Sequence, residues 1–259
     1  MDDVLLNELN QKIRLVMHLL LCYNLDRGDN MYNFFFYDKY VAIIGDIVGS
    51  RKLADRNIIQ QKLKKVLGDI NDKYSEDIAS KFTITLGDEF QGLLKNRNSI
   101  MKIICDIEMA MTSIQIRFGI GIGTISTELN FNNSSEIDGP VYHRARKMIK
   151  EVEEKESQYA ESYSNVLICS GEDNLEIDEL INSILSVCTA LKSKWTERQK
   201  EIIYAYLTND ENQYKAANIL NIGQPSVNKA LRIAKFYTYK SAMDVVNSFL
   251  RKERGEAND

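Results

Sequence analysis

Two acidic residues with glycine neighbours, Asp46 in Gly45-Asp46-Ile47-Val48-Gly49-Ser50 and Asp88 in Leu86-Gly87-Asp88-Glu89-Phe90, each close an apolar run. Paired carboxylates at converging strand ends are the hard oxygen donors that Mg²⁺ or Mn²⁺ takes while it clamps a nucleotide phosphate. The run before Asp46, Tyr40-Val41-Ala42-Ile43-Ile44, is continuously apolar, as in a strand covered on both faces. The run before Asp88, Phe82-Thr83-Ile84-Thr85-Leu86, alternates apolar and polar residues, and Phe90-Gln91-Gly92-Leu93-Leu94 reads as its return strand. Asp46 is therefore expected at a strand end and Asp88 at a hairpin tip, with both carboxylates projecting together if the two strands are neighbours. Without that meeting, the same residues are a turn or cap aspartate and a solvated hairpin tip.

The elements that would position them follow from periodicity. Ile59-Leu63-Val66-Leu67-Ile70 and Ile100-Ile103-Ile104-Ile107-Met111-Ile114 repeat at three and four residues, so each predicts a helix with one apolar stripe against a sheet. Residues 116–125 read as a strand in which Gly119, Gly121 and Gly123 alternate, baring one face to a close backbone or ligand. No helix opens there, which excludes a dinucleotide-binding loop. After a polar loop from Thr127 to Asp138, Gly139-Pro140 marks a helix start. On that helix His143, Arg146 and Lys147 share a face, with Arg144 turned about 100° away. Residues 151–161 read as charged and solvated, and Asn165-Val166-Leu167-Ile168-Cys169 as a closing strand. Alternating strands and helices predict an α/β or α+β sandwich.

Beyond Ser170-Gly171-Glu172-Asp173-Asn174 every segment reads as helical. Thr196 with Gln199 forms a capping box, which starts a helix at Glu197. In residues 214–231, Ala217 is small where two helices cross, Asn221 suits a left-handed turn, and Val227 and Leu231 pack the second helix back. This is a helix-turn-helix pattern, with an ordinary helical hairpin as the alternative. Its recognition helix would run from about Gln224 to Lys235 and present Gln224, Ser226, Asn228, Lys229 and Arg232 to DNA. The chain thus divides into an extension (1–39), a sheet domain (40–172), a helical domain (173–252) and a tail (253–259).

Composition narrows the function classes. The 259 residues are 44% hydrophobic and 27% charged, enough for a substantial core. The net charge of −4 excludes a uniformly basic nucleic-acid coat, but residues 195–252 hold nine Lys or Arg against five Asp or Glu and leave the rest at −8. Cys22, Cys105, Cys169 and Cys188 lack metal-ligand spacing and read as reduced core thiols, which predicts a cytosolic protein. No run reaches the roughly 20 apolar residues that span a bilayer. The apolar stretch from Leu15 to Tyr23 lacks the flanks of a signal peptide and reads as an appended helix, or as part of an extension ahead of a start at Met31.

Asp46-Ile47-Val48-Gly49-Ser50, Leu86-Gly87-Asp88, residues 117–123 and Gly139-Pro140-Val141-Tyr142-His143-Arg144-Ala145-Arg146 resemble, in order and spacing, four motifs of class III nucleotidyl cyclases. With the C-terminal helix-turn-helix, the architecture from about Tyr40 to Leu250 is similar to that of the SatD family. Trp195-Thr196-Glu197-Arg198-Gln199 also resembles the start of sigma-factor and response-regulator DNA-binding modules. The resemblance implies a ferredoxin-like, cyclase-like α/β sandwich followed by a small all-α helix-turn-helix domain. It implies two metal ions at Asp46, Asp88 and the carbonyl of Ile47, a triphosphate over Gly49-Ser50-Arg51, and a site formed between two subunits. At the positions of the family's ribose-orienting asparagine and transition-state arginine stand His143 and Lys147, with Arg146 one residue earlier, and Ile84 replaces the adenine-reading lysine. The expected protein is a homodimeric regulator that binds Mg²⁺ or Mn²⁺, a nucleoside triphosphate and DNA. Two alternatives are a divergent cyclase, with His143, Arg146 and Lys147 in catalytic positions, and a DNA-binding protein on a degenerate scaffold.

Overall fold

The computed structural model describes residues 40–50, 55–85, 87–112, 114–159 and 164–251, all within one compact unit, Asp38–Arg251. The expected N-terminal extension, with its apolar stretch at Leu15, Cys22 and Met31, and the C-terminal tail lie outside the described residues.

Five strands form one mixed sheet in the order β2-β3-β1-β4-β5. They are β1 (Tyr40–Ile47), β2 (Ile78–Ile84), β3 (Glu89–Leu94), β4 (Ile116–Gly123) and β5 (Val166–Cys169). β1 lies antiparallel between β3 and β4, and β5 runs parallel to β4. Because β1 is central and buried on both faces, its run is apolar throughout.

One face of the sheet is covered by α1 (Arg56–Lys73) and α2 (Ile100–Ala110), whose Leu63, Leu67, Ile70, Ile103 and Ile107 pack with Val41, Ile43, Phe90 and Phe118. α2 ends at Ala110, so Ile114 lies outside the helix that the apolar repeat suggested. The other face is covered by α3 (Pro140–Tyr159), through Val141, Tyr142, Ala145 and Ile149 against Ala42, Ile44 and Leu93. Here the glycines of β4 have a steric purpose: a Cβ on Gly121 would lie 2.0 Å from the Val141 carbonyl, and one on Gly119 2.1 Å from that of Ala145. The segment expected to be a solvated charged run continues α3 as far as Tyr159, with Val152 fully buried. Glu156 is turned toward the sheet and Glu153, half exposed at i, i+3 spacing from it, also reaches Arg117 of β4.

Five further helices follow: α4 (Leu175–Lys192), α5 (Glu197–Leu207), α6 (Gln213–Ile219), α7 (Gln224–Ile233) and α8 (Phe236–Arg251). The Thr196 capping box starts α5 with both reciprocal hydrogen bonds formed. Asn221 takes the left-handed conformation (φ 51°) between α6 and α7. α5, α6 and α7 enclose a cluster built on Trp195, Ile203, Ala216, Ala217, Val227, Leu231 and Phe236. The Trp195 indole N–H donates to the Ala234 carbonyl at 2.7 Å and ties this cluster to the end of α7. Ile181 and Leu185 of α4, with Val246 and Leu250 of α8, belong instead to the apolar cluster of the sheet. The helical segment is thus joined to the sheet through its first and last helices.

Candidate functional site

At the end of β1, Asp46 lies opposite Glu89 of β3 on one side and Arg117 of β4 on the other. Asp88 occupies the turn just before β3, behind Gly87 in the left-handed region (φ 65°). Gln60 of α1 secures this turn by donating its amide to the Gly87 carbonyl at 2.5 Å. The Ile47 N–H donates to the Asp88 carbonyl at 3.3 Å, so the two segments singled out in the sequence are hydrogen-bonded to each other.

Charge is poorly balanced where they meet. Burial, opposed by the Arg117 guanidinium and reinforced by the Asp88 carboxylate, pushes Asp46 up to about 6. Ser50, almost fully buried, donates its hydroxyl to the Asp88 carboxylate. Gly49 has φ 66° and open space around it. Arg51, the third residue expected to face phosphate, lies outside the described residues.

Sequence reasoning missed the groups around Arg117. Its Nη1 reaches Asp46 and Glu153 at 3.1 Å each, and its Nε and Nη2 both reach Glu156 Oε2 at 2.8 Å. Burial alone would lower the pKa of this guanidinium, but the hydrogen bond and charge of Glu156, with Glu153 and Asp46, raise it. The available signal was the apolar stripe Ile149-Val152, which puts residue 156 on the sheet side of α3.

The three basic residues of α3 expected to share a face, His143, Arg146 and Lys147, are all exposed. Arg146 reaches Glu89, the register partner of Asp46, at 3.7 Å and so stands at the rim of the carboxylate pair. His143 pairs with Asp138 at 3.6 Å, at the start of the helix. Arg144 points inward and donates to the carbonyls of Ile122 and Ser170, which pins α3 to the ends of β4 and β5. Ile84 ends β2 opposite Phe90.

Among the described residues, no group of three or more His, Cys, Asp or Glu is arranged to hold a metal ion. Two carboxylates and a main-chain oxygen are nevertheless a hard-oxygen donor set. It suits a divalent cation that completes its shell with phosphate and water.

On α7, Ser226, Lys229 and Arg232 are exposed as expected, whereas Gln224 and Asn228 are half-buried. Gln224 donates to Gln213 of α6 at 2.6 Å, and Gln213 donates to the Tyr237 hydroxyl at 2.8 Å, so this amide is already engaged within the protein. Among the described residues, no helix is long and apolar enough to cross a membrane.

Three solved structures are similar to the chain at low identity. A bacterial light-regulated adenylyl cyclase matches 54% of this chain and 79% of its own at 13% identity, with a TM-score of 0.37. The catalytic core of a rhodopsin-guanylyl cyclase with converted specificity, in complex with ATPαS, matches 43% and 72% at 21% identity, with a TM-score of 0.31. A regulator of polyketide synthase expression from Bifidobacterium adolescentis matches 85% and 84% at 12% identity, with a TM-score of 0.27. No protein of curated function matches the chain. The SatD family model matches residues 40–248, well over half the sequence, and the chain belongs to that family.

Proposed function

We propose that this chain is a regulator whose sheet module binds Mg²⁺ or Mn²⁺ together with a nucleoside triphosphate, and whose α6–α7 pair binds DNA. The observation that carries the first half is the convergence of Asp46 and Asp88 at hydrogen-bonded strand ends, each inside the other's field. The interleaved strand order, with β1 between β3 and β4, supports a ferredoxin-like, cyclase-like sandwich. In this reading Asp46, Asp88 and the Ile47 carbonyl hold the cation, and Gly49, Ser50 and Arg51 face the phosphates. The cation supplies charge neutralisation for the phosphate oxygens. The chain's own contribution is to hold two carboxylates in a partly dry site where they repel unless a cation joins them.

Titration calorimetry with Mn²⁺ and each nucleoside triphosphate tests this. Asp88→Asn is expected to weaken metal-dependent nucleotide binding by about tenfold or more, since it removes a ligand rather than an outer support. Unchanged affinity and unchanged metal dependence would overturn the assignment. A divergent cyclase is the second reading, favoured by Arg146 at the rim of the carboxylate pair with His143 and Lys147 on the same helix face. Mass spectrometry of the same mixtures separates the two: a cyclic product favours the enzyme, binding without turnover the sensor.

The DNA half rests on the tight turn at Asn221 and the exposed basic face of α7. Among the described residues Lys229 and Arg232 have no acidic partner, whereas Lys215 pairs with Asp210 and Lys240 with Asp244 and Glu211. Helix-turn-helix proteins commonly read paired half-sites, which together with a shared nucleotide site makes a homodimer the functional unit. Lys229→Ala with Arg232→Ala is expected to reduce DNA affinity and to flatten its salt dependence by about 0.9 in slope for each lost phosphate contact. A folded double variant with an unchanged salt slope would exclude α7 as the reading helix.

A further inference from the structure

Arg117 already sits as a cation on the carboxylate assigned to the metal. Three carboxylates share its guanidinium: Asp46 and Glu153 on Nη1 at 3.1 Å, and Glu156 on Nε and Nη2 at 2.8 Å. The second oxygen of Glu156, Oε1, is buried and has no hydrogen-bond partner among the described residues. Three carboxylates on one guanidinium leave surplus negative charge, to which Asp88 and Glu89 add and which Arg146 offsets only at the rim. The bond to Asp46 is also the releasable one. Without it Arg117 keeps the Nε hydrogen bond and the Nη2 ion-pair contact to Glu156 Oε2 and the Nη1 bond to Glu153, so its charge stays paired.

Resting on the metal reading above, we propose that Arg117 is a positioning residue that competes with the divalent cation for Asp46. A guanidinium 3.1 Å from a carboxylate oxygen repels a second cation on that group. Metal binding therefore moves Asp46 off Arg117 and leaves the guanidinium to Glu153 and Glu156. Both of these lie on α3, which also carries His143, Arg146 and Lys147. The exchange links occupancy at the end of β1 to α3, the helix that sets Arg146 at the rim of the carboxylate pair, and the coupling is reciprocal.

Mn²⁺ alone, titrated into the full chain and followed by the electron paramagnetic resonance of the free ion, provides the test. Arg117→Gln is expected to bind Mn²⁺ about tenfold more tightly than wild type, within the usual range of coupling between linked sites. Arg117→Lys discriminates direct holding from general charge, because an ammonium keeps the charge but lacks the fork that spans Glu156 and Asp46. Its affinity is expected to rise as well, and wild-type affinity in this variant would overturn the proposal. Should the Arg117 variants fail to fold, Glu153→Gln serves, since the Glu153 side chain is half exposed and shares Nη1 with Asp46. Giving Nη1 wholly to Asp46 is expected to weaken Mn²⁺ binding about threefold, and an unchanged or tighter affinity would contradict the exchange. The metal reading itself falls if wild type shows no Mn²⁺ binding that Asp46→Asn abolishes. The competition falls if wild type binds and the Arg117 variants match it.

Discussion

Asp46→Asn is expected to make the metal-free chain more stable at pH 7.5, by about 3 kcal/mol, while abolishing Mn²⁺-dependent nucleotide binding. Most carboxylates stabilise the fold that surrounds them. Asp46 differs because burial raises its pKa from 3.8 to about 6, with the Arg117 charge only partly opposing and Asp88 adding to the rise. The folded chain therefore holds this proton more tightly than the unfolded chain does. The sign follows: stability falls as pH rises from about 4 to about 6, and the full cost persists above that window. Asparagine has the same shape, carries no charge at any pH, and still offers an oxygen to Arg117. Its advantage over wild type should roughly halve at pH 5, where the folded carboxyl is mostly protonated. Urea unfolding of both proteins at pH 5 and 7.5 measures this. A variant less stable than wild type at pH 7.5 would make Asp46 a structural turn residue and remove the central observation behind the metal reading. A gain in stability with a loss of binding is the signature of a group kept for function at a cost to the fold.

The aspartate pair was legible because strand periodicity and turn chemistry are local. A continuous apolar run ending at Asp46, and an alternating run ending at a glycine turn beside Asp88, fix where each carboxylate must emerge. The glycines of β4 were legible in the same way, as a bared strand face. What local pattern does not encode is which element covers that face and how far it extends. Glu153 and Glu156 sit in a run of charges that looks solvated in isolation, and they meet Arg117 only because α3 crosses β4 at van der Waals distance. The same limit applies to the helical segment. The capping box at Thr196 and the turn at Asn221 are local and were readable. The return of Val246 and Leu250 to the apolar cluster of the sheet is a long-range contact with no local signal. Gln224 illustrates the same limit at a surface, since the helix-turn-helix pattern placed it among exposed residues whereas it is half-buried and bonded to Gln213.

The close crossing of α3 over β4 gives the second large effect. Gly121→Ala is expected to destabilise the chain by about 3 kcal/mol or more, because the added Cβ meets backbone rather than a side chain that can rotate away. It would lie 2.0 Å from the Val141 carbonyl and 2.6 Å from the Ala145 N–H nitrogen, so α3 has to move as a body. Gly68→Ala is the internal control, with the opposite sign. Gly68 is exposed on α1, and a Cβ added there would meet nothing within 4 Å. The change there should stabilise by about 0.5–1 kcal/mol through helix propensity alone. If the two variants unfold at the same urea concentration, close packing of β4 against α3 is not what holds these layers together. The functional consequence is separable from the loss of stability. Lifting α3 withdraws Glu153 and Glu156 from Arg117 and carries Arg146 away from Glu89, whereas Asp46 and Asp88 stay where the β1 and β3 backbones put them. Below its unfolding range, Gly121→Ala should therefore still bind Mn²⁺ in a manner that requires Asp46, more weakly because Nη1 is left to Asp46, while losing whatever Arg146 supplies at the rim of the pair. Loss of both together in the folded variant would mean that the carboxylate pair, too, depends on α3 for its position.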